Sequence, residues 1–288
     1  MNIGIVGTGL IGGSIALDLQ QRGDVIRGYD SNPIHAEKAI DLKVVNEITS
    51  LSELAAASDI IIVSVPVSIA PKVVLELLDL IKWNTTVIDT GSTKGSVCEA
   101  VANHKKRSRF VACHPLAGTE FSGPSAAITD LYRGKKNIIC EENKSDSDAL
   151  EQVIDLFRYL GMTNLFMNPT EHDKHMAYVS HLSHVSAFML GTTVLDIEQD
   201  EKQIFNLAST GFESTVRLAK SSPETWSTIF SDNQKNVTEA LDTYIEHLKT
   251  FRQAIVDQDN QAMKDMIKKS NEIRRILDGM KYNVVKLS

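Results

Sequence analysis

A glycine-rich turn near the start of the chain restricts the possible folds more than any other feature of the sequence. It lies at residues 7–13, which read GTGLIGG, between the β-branched run NIGIV and the helix-like run SIALDLQQ. A strand, a glycine-rich turn and a helix in this order are typical of the first unit of a doubly wound parallel sheet that binds a dinucleotide. The turn therefore predicts a Rossmann-type fold for the N-terminal part of the chain.

Three glycines of this turn each have a physical reason. Gly7 permits a tight turn, Gly9 lets the backbone approach a pyrophosphate, and Gly12 lets the helix pack closely on the strand. The helix N-terminus adds N–H groups and a partial positive charge for the phosphates. The cofactor contacts expected from this segment are Gly7, Thr8, Gly9, Leu10, Ile11 and Gly12.

The acidic residue Asp30 indicates which dinucleotide is bound. It ends the second strand-like run, DVIRGYD, 23 residues after Gly7. A carboxylate at this place accepts hydrogen bonds from the adenosine ribose hydroxyls and repels a 2′-phosphate. The next residues, SNP, contain no arginine that would hold such a phosphate. The sequence therefore favours NAD over NADP.

Strand-like and helix-like segments alternate through the first part of the chain, and helices then take over. The apolar, β-branched runs lie at residues 2–6, 24–30, 59–65, 85–90, 109–113 and 137–140. Strands that are apolar on both faces and separated by helices indicate a parallel sheet covered on both sides. From about residue 170 helical periodicity dominates. We predict an α/β chain with a doubly wound NAD-binding domain at residues 1–168 and an all-helical domain at residues 169–288.

Two apolar stripes mark the helical part. One comprises Leu241, Ile245, Leu248, Phe251 and Ile255, and the other Met263, Met266, Ile267 and Leu277. Such stripes are compatible with a dimer interface and equally with a monomeric core. At the beginning of this part, Pro169 ends the preceding strand. Thr170 with Asp173 suggests a capping box in which Asp replaces the usual Glu.

Composition and charge exclude several classes of protein. The net charge of −7 argues against nucleic acid or an anionic membrane surface as the main partner. Cys98, Cys113 and Cys140 are too scattered for a disulfide framework. No targeting signal is visible, and no apolar run approaches the ~20 residues that span a bilayer. We therefore expect a cytoplasmic protein that acts on a small molecule.

Three further strand ends are expected at the cofactor crevice, because ligands bind at the carboxyl edge of such sheets. The segments at these strand ends read SVPVS (64–68), DTGSTKG (89–95) and CHPLAGTE (113–120). We expect Val65, Pro66 and Ser92 beside the cofactor. Ser92 is either the N-cap of a helix that begins near Lys94 or a functional hydroxyl. His114 is either an ordinary strand-end histidine or the group that performs the chemistry.

Four histidines lie within thirteen residues of the segment EHDKHMAYVSHLSH, namely His172, His175, His181 and His184. His181 and His184 share a helix face, whereas a continuous helix would place His172 and His181 on opposite sides. This spacing, and the absence of the acidic residue of H-E-x-x-H, argue against a metal site. Each histidine alone can be a hydrogen-bonded core residue. For His181 and His184 together we favour a role in binding an anion or a hydroxyl group.

The segment ASTGFESTVRLAK places Arg217 in an otherwise apolar helical stretch. It either pairs with Glu213 on a solvated helix face or offers its guanidinium to a substrate carboxylate. Spacing alone does not decide between the two.

Taken together, these motifs resemble the prephenate/arogenate dehydrogenase family of tyrosine biosynthesis over essentially the whole chain. The matching segments are, in order, GTGLIGGS, DTGSTK, CHPLAGTEFSG, SHLSH and GFESTVRLA. Two positions depart from the family's usual pattern, Ser183 where H-L-P-H has proline and Cys113 where glycine is frequent. Neither is an expected contact.

The resemblance implies an NAD-dependent oxidation in which a cyclohexadienyl substrate loses a hydride and carbon dioxide and becomes aromatic. It implies that His114 polarises the ring hydroxyl as a base, and that Ser92 hydrogen-bonds the His114 ring and sets its tautomer. Arg217 is expected to hold a carboxylate of the substrate, with His184 helping to anchor it. No metal is required, because aromatisation drives the decarboxylation.

The resemblance also assigns less central roles. Glu120 and Thr119 are expected to line the mouth of the pocket, where a carboxylate can pair with a basic residue. His181 and His172 are secondary candidates, and His175 has no assigned role. The family is generally homodimeric through its helical domain, so residues 169–288 are expected to bind substrate and to form the dimer.

Alternative functions from other classes remain at this point. The substrate is prephenate or arogenate, and the sequence does not separate the two. A β-hydroxyacid dehydrogenase has a similar domain plan but handles protons with a lysine on a helix of the second domain, where this chain has histidines. A non-catalytic NAD-sensing regulator would keep the fold without needing His114, Ser92 and Arg217 together.

Overall fold

The computed structural model describes residues 1–198, 210–275 and 277 of the chain. The chain forms two compact units, Met1–Gln234 and Lys235–Ser288. The first contains a sheet with its helices, and the second is helical where it is described. The domain boundary expected from the sequence, after residue 168, stays a prediction.

An eight-stranded sheet forms the centre of the first unit. Its strands are β1 (Asn2–Val6), β2 (Val25–Tyr29), β3 (Glu47–Ile48), β4 (Ile60–Val63), β5 (Thr86–Asp89), β6 (Phe110–Pro115), β7 (Lys136–Cys140) and β8 (Thr163–Met167). They lie in the order β3-β2-β1-β4-β5-β6-β7-β8. The order changes direction between β1 and β4, which is the switch point where a doubly wound sheet opens a crevice. The predicted Rossmann-type fold is confirmed.

The helices follow the predicted change from an alternating to a helical pattern. In the first unit they are α1 (Leu10–Gln21), α2 (Pro33–Asp41), α3 (Leu51–Ala57), α4 (Ala70–Leu80), α5 (Gly95–Val101), α6 (Ser147–Tyr159), α7 (Pro169–Met176), α8 (Leu182–Glu198), α9 (Thr210–Val216) and α10 (Pro223–Asp232). Two further helices, α11 (Gln234–Val256) and α12 (Asn260–Asn271), complete the described chain. Helix α11 begins at the last residue of the first unit.

The hydrophobic core lies on both faces of the sheet, as the apolar strands require. Strand β4 illustrates this, since all four of its residues are buried. Ile60 and Ile62 belong to the cluster on one face, and Ile61 and Val63 to the cluster on the other. Full burial of one such side chain stabilises the fold by about 1.5–3 kcal/mol. The continuous apolar runs of the sequence are therefore the central strands of a sheet covered on both sides.

The sheet differs from the sequence-based expectation at its edges. Strand β3 has two residues, too few for a periodic signal, and β8 is an edge strand with Leu165 and Phe166 exposed. Strand β7 runs antiparallel to β6. The twenty residues between β6 and β7 contain only a 3₁₀ turn, Pro124–Ala126, and no crossover helix. A parallel connection needs such a crossover, which α6 supplies between the parallel strands β7 and β8.

The capping box suggested at the beginning of the helical part is wrong. The N-cap of α7 is Asn168, whose side chain accepts a hydrogen bond from the backbone N–H of Thr170 at 2.9 Å. Asp173 is buried and bonds to a distant loop instead. Asparagine is as good an N-cap as aspartate. Because Asn168 caps α7, the Asp173 carboxylate is available for a tertiary contact.

Part of the apolar stripe on α11 lies at the surface of the single chain. Ile245, Leu248 and Ile255 are exposed, with Leu248 at 50%. On α12, Ile267 is exposed and Met263 and Met266 are half-buried. Within the described residues no helix has both the length and the apolar composition needed to cross a membrane.

Candidate active site

The glycine-rich turn between β1 and α1 has the geometry that its spacing predicts. Gly7 has φ +91°, and a Cβ there would lie 2.4 Å from the carbonyl oxygen of Ser64. A Cβ on Gly12 would lie 2.2 Å from the carbonyl oxygen of Gly7, so both positions exclude any larger residue. At Gly9 the nearest atom is the backbone nitrogen of Gly123 at 4.0 Å. The space in front of Gly9 is therefore open to a ligand.

The first turn of α1 is prepared for an anion. Its N-cap is Gly9, which has no side chain to cap the helix, and no acidic residue lies in the turn. The first N–H groups of a helix have no partner within the helix. Leu10 and Ile11 begin α1, so their N–H groups are available to phosphate oxygens.

Asp30 follows β2 directly and is held against the glycine-rich turn. Its Oδ2 accepts hydrogen bonds from the backbone N–H of Thr8 at 2.9 Å and from the Thr8 hydroxyl at 3.0 Å. From the described residues its Oδ1 accepts one hydrogen bond, donated by the backbone N–H of Asn32 at 2.9 Å. A carboxylate oxygen has two lone pairs, so Oδ1 can accept one more bond. The remaining lone pair of Oδ1 suits the hydrogen bond of a ribose hydroxyl.

The residues after β4 and β5 border the same turn. A Cβ on Gly7 would lie 3.2 Å from Cγ1 of Val65, and Pro66 is exposed beside it. The hydroxyl of Thr90 donates to Oγ of Ser64 at 3.0 Å and joins the two loops. Val65 and Pro66 thus lie at the sheet edge where the sequence predicts them.

His114 lies near the end of β6 and is 9% exposed. Its Nδ1 forms a hydrogen bond with Nε2 of His172 at 2.8 Å. Within the described residues its Nε2 has no protein partner. His172, on α7, is fully buried, and its own Nδ1 forms a hydrogen bond with Oδ1 of Asp173 at 2.7 Å.

Asp173 connects this chain of histidines to the loop after β5. Its Oδ1 also accepts the backbone N–H of Lys94, and its Oδ2 accepts the backbone N–H of Gly95, both at 2.8 Å. Burial raises the pKa of Asp173, but the hydrogen bonds from His172, Lys94 and Gly95 outweigh burial, and the pKa lies below its usual value. The carboxyl group is therefore ionised at neutral pH.

The imidazole rings of His114 and His172 are both neutral at physiological pH. Burial lowers the pKa of His114 well below its usual value, and the neighbouring His172, Lys94 and His181 lower it further. Burial also lowers the pKa of His172, against the opposing effect of the Asp173 carboxylate. His114 can therefore accept a proton in the physiological range instead of already carrying one.

A buried ion pair lies close to His114. The ammonium group of Lys94 is fully buried and contacts Oδ2 of Asp89 and, at 2.7 Å, the carbonyl oxygen of Cys113. Asp89 Oδ1 accepts the backbone N–H of Cys113 at 3.2 Å. The pair thus holds the end of β5 against the backbone just before His114. Its charges are compensated, as burial requires.

The contact predicted between Ser92 and the His114 ring is not present. His172 occupies Nδ1 of His114, and Ser92 makes no side-chain hydrogen bond within the described residues. Ser92 is not an N-cap either, because α5 begins at Gly95 and Asp173 accepts its first N–H groups. The hydroxyl of the adjacent Thr93 is buried without a partner in the described chain. Of the two hydroxyl groups in this loop, that of the half-buried Ser92 is the more accessible to a ligand.

His181 is brought to the same buried region by a wider helical turn. A π-helical turn, Ala177–His181, separates α7 from α8. Each residue of a π-helix rotates the chain about the helix axis by a smaller angle than a residue of an α-helix does. His172 and His181 are therefore not on opposite sides, as a continuous α-helix would place them, and both are buried. The Nδ2 of Asn233 donates to Nδ1 of His181 at 3.2 Å and to the carbonyl oxygen of Asp173 at 2.7 Å. Burial lowers the pKa of His181 to about 4.

His184 is half-buried on α8 and stacks on Trp226, with ring centroids 3.5 Å apart. Its Nδ1 donates to the carbonyl oxygen of Ser180 at 2.9 Å. Burial lowers the pKa of His184, and Arg217 lowers it further. The neutral ring therefore presents Nε2 as an acceptor, so His184 alone does not supply a positive charge for an anion.

Arg217 reaches toward the loop after β6 and not toward its own helix. Its guanidinium lies 4.0 Å from the Glu120 carboxylate, and within the described chain it makes no ion pair with Glu213. The Arg217 side chain is 56% exposed. Thr119 is also exposed, and its hydroxyl accepts the backbone N–H of Phe121 at 3.3 Å. An exposed guanidinium with a weak partner remains available to a substrate carboxylate.

Sequence reasoning did not identify several residues of this region. Asp173, Lys94, Asp89 and Asn233 complete the hydrogen bonds around the histidines, and Trp226 packs on two of them. The only local signal was the pair His172–Asp173, an imidazole next to a carboxylate. Among the described residues no group of three or more His, Cys, Asp or Glu side chains is arranged to hold a metal ion.

Comparison with known families gives two matches that together cover most of the chain. Residues 15–164 match the nucleotide-binding domain of prephenate dehydrogenase, and residues 168–269 match the dimerization domain of prephenate dehydrogenase.

Individual relatives support the same family. The chain is 29% identical over 280 residues to a cyclohexadienyl dehydrogenase of Zymomonas mobilis, covering 96% of each chain. It is also 29% identical over 279 residues to a prephenate dehydrogenase of Bacillus subtilis, covering 94% of this chain and 74% of that protein.

Solved structures agree with these relatives. A prephenate dehydrogenase of Aquifex aeolicus in complex with hydroxyphenyl propionate and NAD⁺ superposes with a TM-score of 0.86 at 33% identity, covering 96% of this chain and 98% of that one. A Synechocystis arogenate dehydrogenase superposes with a TM-score of 0.76 at 27% identity, covering 96% and 100%.

Proposed function

The chain belongs to the prephenate dehydrogenase family, and we propose that it catalyses the NAD-dependent oxidative decarboxylation of prephenate to 4-hydroxyphenylpyruvate in tyrosine biosynthesis. The observation that carries this proposal is the state of His114. It is a neutral imidazole at the carboxyl edge of the sheet, with one ring nitrogen held by His172 and the other without a partner among the described residues. A base that removes the proton of a ring hydroxyl needs this arrangement.

The residues of the glycine-rich turn fit NAD. The open space at Gly9, the available N–H groups of Leu10 and Ile11, and the remaining acceptor of Asp30 suit a pyrophosphate and an adenosine ribose. Thr8 holds the Asp30 carboxylate in place. When bound, NAD accepts the hydride that the substrate loses.

His114 is the proposed base. Its Nε2 accepts the proton of the substrate hydroxyl as the carbon that bears it becomes a carbonyl. Burial keeps His114 uncharged before this step, so the lone pair is present at neutral pH. Ser92 and the buried hydroxyl of Thr93 lie on the neighbouring loop, and we propose that Ser92 hydrogen-bonds the same substrate oxygen.

Arg217 and the residues near it are proposed to bind and admit the substrate. The exposed guanidinium of Arg217 suits the ring carboxylate, and Glu120, 4.0 Å away, competes for it when substrate is absent. Thr119 lies on the same loop as Glu120. His184 and His181 form the buried side of this region, where we propose that they orient the substrate by hydrogen bonds.

Arogenate is the alternative substrate, and the relatives include dehydrogenases of both names. The two acids share the ring that reacts and differ in the side chain, which carries a keto group in prephenate and an ammonium group in arogenate. The free Nε2 acceptor of the neutral His184 is complementary to an ammonium donor, and this observation supports arogenate as the alternative.

The experiment that tests the function is NADH formation measured at 340 nm with each acid. We expect turnover of prephenate with a kcat/KM above that of arogenate. The reverse order would assign the enzyme to arogenate. Turnover of neither acid, with NAD still bound, would support a regulator, and turnover of a β-hydroxyacid instead would support that other class of dehydrogenase.

We further propose that the protein is a cytoplasmic homodimer assembled through residues 169–288. The exposed apolar residues Ile245, Leu248 and Ile255 on α11 support a partner surface, as does the match to a dimerization domain. The cysteines Cys98, Cys113 and Cys140 are buried free thiols, as expected in a reducing compartment.

A further inference from the structure

The side chains of Asp173, His172 and His114 form one continuous chain of hydrogen bonds, 2.7 Å and 2.8 Å long. His172 is fully buried, Asp173 is 7% exposed and His114 is 9% exposed. Buried polar groups of this kind are costly unless they are fully paired. In the proposed reaction only His114 acts on the substrate. His172 and Asp173 have no role in it so far.

We propose that His172 and Asp173 are positioning residues for the base, which set the tautomer of His114 and stabilise the positive charge that forms when His114 takes up a proton. This inference rests on the proposed function for the identity of the reaction. Its structural part, the tautomer, holds in the free protein and can be measured without substrate.

The tautomer follows from the donors that meet at Asp173. The carboxylate faces three of them, the backbone N–H groups of Lys94 and Gly95 and the Nδ1 of His172. An ionised carboxylate only accepts, so His172 carries its proton on Nδ1. Since His172 is neutral, its Nε2 is then an acceptor, and His114 must donate from Nδ1. The unprotonated nitrogen of His114 is therefore Nε2, which has no partner in the part of the chain that the structure describes.

The same chain can move the charge away from the substrate. When the hydroxyl proton reaches Nε2 of His114, the proton on Nδ1 of His114 can pass to Nε2 of His172. The positive charge then lies on His172, next to the Asp173 carboxylate. No proton is gained or lost by the protein beyond the one taken from the substrate.

The surrounding charges make Asp173 the important partner. Lys94 and His181 face His114 and oppose a positive charge there. At His172, Lys94 opposes the charge, whereas Asp173 and Asp89 favour it. Asp89 is already paired with the Lys94 ammonium, so Asp173 provides the main compensation. The arrangement resembles a catalytic triad without its nucleophile. A carboxylate orients one imidazole, and that imidazole orients a second one.

A purely structural role must be distinguished, because Asp173 also satisfies the first N–H groups of α5. We would compare Asp173→Asn, His172→Gln and His172→Leu with the wild type. The matched control is His175→Gln, on an exposed position of the same helix. Glutamine at position 172 keeps a carbonyl oxygen that can accept the Nδ1–H of His114, and leucine does not.

The first measurement is ¹⁵N NMR of histidine-labelled enzyme without substrate, with His114 assigned by its loss in His114→Asn. We expect His114 to be protonated on Nδ1 in the wild type and in the control. Protonation on Nε2 in the wild type would overturn the proposal, and this result would not affect the proposed function.

The second measurement is kcat and KM against pH. For Asp173→Asn we expect kcat to fall on the order of 100-fold with KM nearly unchanged. The acidic limb of the profile should move down by about one pH unit, because loss of a negative charge disfavours the cation. His172→Gln should retain about ten times the kcat of His172→Leu.

The proposal fails if the variants lose activity only in proportion to folded protein, with the acidic limb unmoved. If Asp173→Asn does not fold, two measurements still test the proposal. They are the comparison of His172→Gln with His172→Leu and the NMR spectrum of the wild type. Absence of turnover of either acid by the wild type would count against the proposed function and leave the tautomer measurement intact.

Discussion

The Asp173 carboxylate accepts the backbone N–H of Lys94 at 2.8 Å, although 79 residues separate the two in the chain. This bond fastens α7 to the loop after β5. His172, the residue before Asp173, is thereby held against His114 at the end of β6. One buried carboxylate thus brings together a strand end from the sheet and a helix from the part of the chain after residue 168.

His114→Asn should nearly abolish turnover while NAD affinity stays close to that of the wild type. Asparagine can keep a hydrogen bond to His172 but cannot accept the substrate proton. A loss of general base catalysis typically lowers kcat by about 10²–10⁴-fold. Steady-state kinetics and NADH fluorescence titration would measure the two effects, with His175→Gln as control. Near-normal turnover would remove His114 from the role of base.

Arg217→Ala should mainly raise KM for the substrate. The guanidinium is exposed and lies 4.0 Å from Glu120, so its removal costs the fold little. A lost charge-assisted hydrogen bond of about 1.5–3 kcal/mol corresponds to roughly a 10- to 150-fold change in kcat/KM. Lys220→Ala is the control, because Lys220 ends the 3₁₀ turn Arg217–Lys220 that Arg217 begins. If KM for substrate were unchanged and only NAD binding weakened, Arg217 would belong to the cofactor site.

The stability of the protein should fall as pH decreases from about 6.5 to about 4, in part because of His181. Burial lowers the pKa of His181 from 6.5 to about 4, so the unfolded chain binds more protons in this range. Stability from this residue is fully present above pH 6.5 and is lost as pH falls toward 4, amounting to about 3 kcal/mol. Urea unfolding at several pH values should show a shallower decline for His181→Gln, which keeps an acceptor for Asn233. An equal decline in both proteins would assign the effect to other groups.

Leu248→Lys should weaken self-association without unfolding the chain. Leu248 is 50% exposed in the single chain, so lysine there has access to water in the monomer but would meet an apolar partner surface in a dimer. Multi-angle light scattering with size-exclusion chromatography would report the mass. Thr250→Lys, an exposed position two residues further along α11, is the control. A mass unchanged by Leu248→Lys would place the interface elsewhere.

Local patterns predicted the parts of the fold that depend on local physics. The glycine-rich turn is recognisable because Gly7 and Gly12 answer a clash or a strained φ within a few residues. The central strands are recognisable because burial on both faces leaves mostly apolar residues. The short strand β3, the edge strand β8 and the antiparallel direction of β7 were less accessible, because they depend on pairing partners and on a missing crossover helix.

Within the candidate site the sequence indicated the reacting groups but not their partners. His114 and Arg217 stood out as polar residues in apolar contexts, and the family resemblance suggested what they do. The Ser92–His114 contact expected from that resemblance is replaced by His172, because the hydrogen bonds of Asp173 to the loop after β5 hold α7 against the sheet edge.

The sequence by itself determined the class of fold and the dinucleotide turn, since these depend on spacing and hydrophobicity, and its resemblance to a known family supplied the candidates for base and carboxylate binder. Only the tertiary structure decided which nitrogen of His114 is free. That choice depends on three donors converging on one buried carboxylate, and their convergence joins residues 78 and 79 positions apart. No local pattern encodes a hydrogen bond of that range.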